Sequence, residues 1–77
     1  MQKTLWDMRK GESRTVQGFE SELDESYSLR LMELGFHPGE SVTCMQTPSM
    51  GAPRLYLVHN TIYSLDDHIA RLVLAAD

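Results

Sequence analysis

Hydrophobic positions along this chain fall in short runs divided by turn residues, and their spacing predicts five short strands, one helix and a terminal helical turn. Leu5-Trp6-Asp7-Met8 leads into a turn at Lys10-Gly11. Ser13–Phe19 reads as the first strand, with Gly18 marking a bulge or a close backbone approach. A helix follows over 24–34, with Asp24 or Ser26 as its cap and Leu23 just outside as a staple. Tyr27, Leu31 and Leu34 recur at helical spacing and form its apolar stripe, while Met32 lies off it.

The segment from Arg30 to Glu40 specifies structure most strongly. Gly35 stands where helices commonly end in the left-handed conformation, and Pro38-Gly39 suits a tight turn into a strand. Ser41–Thr47 is rich in β-formers, with Val42, Cys44 and Gln46 on one face. A proline-bounded loop over 48–53 leads to a strand over Arg54–His59, a reversal at His59-Asn60 and a returning strand over Thr61–Leu65. One helical turn over 66–70, started by Ser64 or Asp66, and a last strand over 71–75 close the chain. Turn signals at this spacing predict a mainly β fold, a small, partly closed barrel that hides its edges.

Composition narrows the function classes. At 77 residues the chain makes one domain, 1–77, with a thin core and little room for an enclosed active site. A net charge of −4 with scattered lysines and arginines argues against nucleic acid. The apolar runs are far too short to cross a membrane, and the N-terminus lacks the apolar region of a signal peptide. A single cysteine, Cys44, excludes an internal disulfide and fits a reducing compartment; mid-strand and inward, it reads as a small buried hydrophobe. No phosphate-binding loop or nucleophile–base pair is evident, so the chain reads as a binding module rather than an enzyme.

Arg30-Leu31-Met32-Glu33-Leu34-Gly35-Phe36-His37-Pro38-Gly39 resembles the Arg-Leu-x-x-Leu-Gly-x-x-Pro-Gly core of the ferrous iron transport protein A family. Gly11-Glu12, Val16 and Gly18-Phe19 look like that family's first strand; Pro48, Gly51 and Pro53 resemble its hairpin loop; Ile62, Leu65, Ala70, Leu72 and Leu74 resemble its closing segment. Asp66-Asp67 stand where the family often has a basic residue, Ile69 where it often has an acidic one, and Asn60 replaces its usual hairpin glycine. The resemblance implies an SH3-like barrel in the cytoplasm, acting as the non-enzymatic accessory of a membrane Fe²⁺ permease with a cytosolic GTP-binding domain. Charge and hydropathy add no nucleic-acid partner and no direct membrane insertion; no cofactor is expected, and a weak homo-oligomer is left open.

The expected partner-binding residues are Met32, Gly35, Phe36, His37, Pro38, Met50 and Gly51. Methionine suits adaptable interfaces, and the loop over 48–53 has no evident packing duty. For metal, His37, His59, His68, Cys44, Asp66 and Asp67 show no recognised ligand spacing, so they read as structural or solvated and no metal site is assigned. The alternative function is a metal-binding protein, an iron sensor or metallochaperone nucleated on Asp66-Asp67-His68.

Overall fold

The computed structural model describes residues 3–77; Met1 and Gln2, part of the domain expected at 1–77, lie outside the described residues. Strand β1 (Ser13–Phe19) is followed by α1 (Glu25–Leu34), β2 (Ser41–Gln46), β3 (Arg54–Val58), β4 (Thr61–Leu65), α2 (Asp67–Ala70) and β5 (Val73–Ala76). All strand pairs are antiparallel, and the sheet order is β4-β3-β2-β1-β5. The mainly β expectation with one inserted helix is therefore met, with β1, α1 and β4 within a residue of their sequence-read limits.

Strand β1 serves two partners. Ser13–Thr15 pair with β2, whereas Thr15–Phe19 pair with β5. A register shift between Val16 and Gly18 lies in the second ladder, so the expected irregularity at Gly18 is a bulge. A Cβ on Gly18 would meet nothing within 4 Å, which excludes the close-approach reading. Bulges increase local twist, and this one falls in the half of β1 that pairs with β5.

The core follows from period-two alternation. Val16, Val42, Cys44, Tyr56, Val58, Val73 and Ala75 all point inward and are buried, and Leu31 and Phe36 cover them from α1 and its exit. A second register shift between Cys44 and Gln46 breaks the alternation in β2. Gln46 is consequently exposed rather than sharing the face of Val42 and Cys44.

Three local expectations are corrected. Tyr27 is 51% exposed, so the stripe of α1 reaches the core through Leu31, with Leu34 packed beside it. Asp24 sits at the N-cap but makes no capping bond; its Oδ2 instead accepts from the Ser26 hydroxyl at 2.6 Å. Leu23 is buried in the core, but the fourth helical position is Ser28, which leaves no apolar partner for a staple.

The N-terminal segment does more than lead into a turn. Leu5 and Met8 are core residues, the Leu5 N–H donates to the Val73 carbonyl at 3.0 Å, and the buried Tyr56 hydroxyl donates to the Leu5 carbonyl at 2.8 Å. The Arg54 guanidinium lies 4.1 Å from the Trp6 ring centroid and donates to the Trp6 carbonyl. Arg14, buried, donates to the Thr4 carbonyl at 2.9 Å and pairs with Asp7 and Glu12, so its charge is compensated where it is desolvated.

Candidate functional site

The exit of α1 is built from two backbone hydrogen bonds. The Gly35 N–H donates to the Met32 carbonyl at 3.1 Å, and the Phe36 N–H donates to the Leu31 carbonyl at 2.9 Å. This nested pair is the Schellman arrangement, and Gly35 adopts the positive φ of 120° that it requires. Phe36 then enters the core, its ring edge-on to Tyr63 with centroids 5.6 Å apart.

A turn follows at once. The Glu40 N–H donates to the His37 carbonyl at 3.1 Å, with Pro38 and Gly39 as the central residues and Gly39 at φ 94°. Proline sets the first φ and glycine takes the positive one, which makes His37 and Glu40 the two corners of the turn. The Gly39 N–H donates to the Val16 carbonyl at 2.8 Å and the Val16 N–H to the Glu40 carbonyl at 2.9 Å, pinning the turn to β1.

The β3–β4 hairpin reaches the same place. Val58 pairs with Thr61, and His59 and Asn60 occupy the two turn positions with φ 52° and 62°. Both positive values fit a two-residue type I′ turn, which leaves His59 exposed at the end of the hairpin. A Cβ on Gly35 would come within 3.0 Å of His59 Cδ2, so the bare backbone of Gly35 leaves space for that ring.

Three side chains converge as a result. Glu40 Oε1 lies 3.3 Å from His37 Nε2 and 2.9 Å from His59 Nε2. The two imidazole rings stand edge to face with centroids 5.8 Å apart. One potential ligand atom from each of the three residues lies within 4.8 Å of the others. Sequence spacing placed His37 and His59 in separate solvated turns and passed over Glu40. The signal missed is a strand register rather than a motif: it brings two turns, distant in the chain, to one end of the sheet.

The expected partner-binding residues divide by burial and by place. Gly35 and Phe36 are buried and shape the helix exit from beneath, so they offer no exposed contact. Met32 and His37 are half-buried and Pro38 is exposed at that same exit. Met50, 98% exposed, and Gly51 lie on the loop between β2 and β3. That loop joins Gln46 to Arg54, at the end of the β2–β3 pair opposite the His59 turn. A five-residue strand is roughly 17 Å long, so these residues form two surfaces rather than one.

The remaining sequence candidates have structural partners or stand apart. Asp66 caps α2, accepting from the Ile69 N–H at 3.0 Å, and Asp67 lies 3.7 Å from Arg71. Asp66, Asp67 and His68 do not gather as a ligand group among the described residues. Cys44 is buried as expected, and that burial pushes its thiol up from the ordinary range, against the opposing charge of Arg54. No helix among the described residues is long and apolar enough to cross a membrane.

The family model described as the FeoA domain matches residues 3–76. The chain is 28% identical to FeoA of Stenotrophomonas maltophilia, described as a prokaryotic SH3 domain protein and crystallised with zinc. The TM-score is 0.82, and the match covers 95% of this chain and 88% of that one. Iron(II) transport protein A of Clostridium thermocellum superimposes with a TM-score of 0.86 at 22% identity, over 96% of this chain and 44% of that one. A manganese-dependent transcriptional repressor carries the same fold within a longer chain, with a TM-score of 0.83 at 15% identity over 97% of this chain and 41% of the repressor. No curated protein matches the chain significantly. The SH3-like fold expected from the Leu-Gly-x-x-Pro-Gly core is thus the fold observed.

Proposed function

The chain belongs to the FeoA domain family, and from that membership we propose that it is a non-enzymatic, cytoplasmic accessory protein of ferrous iron transport that docks on the GTP-binding part of the Fe²⁺ permease. The observation that carries this reading is the family match across residues 3–76, which includes the whole Arg30–Gly39 core.

Docking uses the helix exit. Met32, His37 and Pro38 supply the contact surface, and Gly35 and Phe36 hold it in shape from below. Met50 and Gly51 offer a second contact at the other end of β2 and β3. The mechanism is a population shift: the module binds one state of the permease more tightly than the other and so favours it. By linkage, the nucleotide that selects that state changes the affinity of the module by the same factor.

Calorimetry with the soluble GTP-binding domain tests this directly. Saturable binding whose affinity differs between the GDP-bound and GTP-bound domain is the expected result. Equal affinity for both states would remove the regulatory mechanism, and no heat in either state would remove the docking.

A further inference from the structure

We propose that His37, Glu40 and His59 form a binding site for a divalent transition-metal cation that ties the exit of α1 to the β3–β4 turn. The His37 ring faces an acceptor at each nitrogen. Its Nδ1 lies 3.4 Å from the carbonyl oxygen of Pro38, and its Nε2 lies 3.3 Å from Glu40 Oε1. Both neighbours are acceptors, yet a neutral imidazole carries one N–H. With the proton on Nδ1 facing the carbonyl, Nε2 turns a lone pair toward a carboxylate. A second ring proton or a metal cation between them resolves that conflict. An imidazole whose second nitrogen donates to a backbone carbonyl is also the arrangement that fixes the tautomer of a ligating histidine.

The second imidazole points the same way. His59 Nε2 lies 2.9 Å from the same Glu40 oxygen, so two rings converge on one carboxylate. The spacings suit a shared ion. Ligands about 2.0–2.1 Å from a metal are roughly 2.9 Å apart along an octahedral edge and roughly 3.4 Å apart along a tetrahedral one. The side chains of His37 and His59 are about half exposed, so both have freedom to close on an ion.

Chemistry sets the class of ion. Two imidazoles and one carboxylate suit Zn²⁺, Fe²⁺, Co²⁺ or Ni²⁺ and disfavour Mg²⁺ and Ca²⁺, which prefer all-oxygen sites. Three protein ligands leave at least one position open, as in exchangeable rather than closed structural sites.

The test uses the whole chain. Co²⁺ is titrated while visible absorption is followed, Zn²⁺ binding is measured by calorimetry, and amide broadening by Co²⁺ locates the ion. The expected results are one ion per chain, broadening centred on residues 37–40 and 58–60, and weakening of Zn²⁺ binding by at least tenfold in H37N, E40Q and H59N. H59N suits the turn, so it should remain folded by circular dichroism while losing the ion. H68N, at α2, should bind as the parent does. Absence of a Co²⁺ band and of Zn²⁺ heat at millimolar metal would overturn the proposal. So would broadening centred elsewhere, or binding that H59N leaves intact in a folded chain.

Discussion

Gly35 meets two demands that no other residue meets together. Its φ of 120° belongs to the left-handed side of the backbone map, and a Cβ there would lie 3.0 Å from His59 Cδ2 and 3.4 Å from Val58 Cγ2. The neighbouring ring tip can move, but the backbone cost remains. Gly35→Ala should therefore lower stability by about 1–3 kcal/mol in urea unfolding. It should also displace His59, which a change in the His59 ring resonances would register. Phe36, next in the chain, illustrates the opposite case. Sequence spacing made it a contact candidate, but its ring is fully buried against Tyr63, so its mutation would test the core rather than the interface.

At the scale of elements, the two helices contrast in how they start. Asp24 precedes α1 without capping it, whereas Asp66 precedes α2 and accepts from the Ile69 N–H. Removal of the two carboxylates should separate these roles. Asp66→Ala should cost about 1 kcal/mol, and Asp24→Ala no more than a few tenths, by chemical denaturation. Equal losses would mean that charge near the helix N-terminus, not the hydrogen bond, is what matters. Strand and helix limits were readable because alternation, Gly35 and Pro38-Gly39 are local signals. The break in β2 was not, because the shift between Cys44 and Gln46 is set by the partner strand β3.

At the scale of the molecule, long-range pairing accounts for what the sequence left hidden. Leu5 and Met8 carry no period of their own, yet both are core because Val73 and Tyr56 bind the backbone of Leu5. Arg14 and Arg54 looked like scattered surface charge, and instead they fasten the N-terminal segment to β1 and β3. His37, Glu40 and His59 meet only after β1, β2, β3 and β4 are in register. The same register separates Met50 and Gly51 from the helix exit, dividing an expected single surface in two. One end of the sheet thus gathers the Arg30–Gly39 core, the exposed Pro38 and the histidine cluster, and that end is the proposed docking face.

An NMR titration of the isotope-labelled chain with the soluble GTP-binding domain of the permease proposed as its partner, in each nucleotide state, would test that claim most directly. Shifts at the amides of Met32, His37 and Gly39, larger in one nucleotide state, are expected. An unchanged spectrum at saturating concentrations of the domain, or shifts confined to β1 and β5, would contradict it.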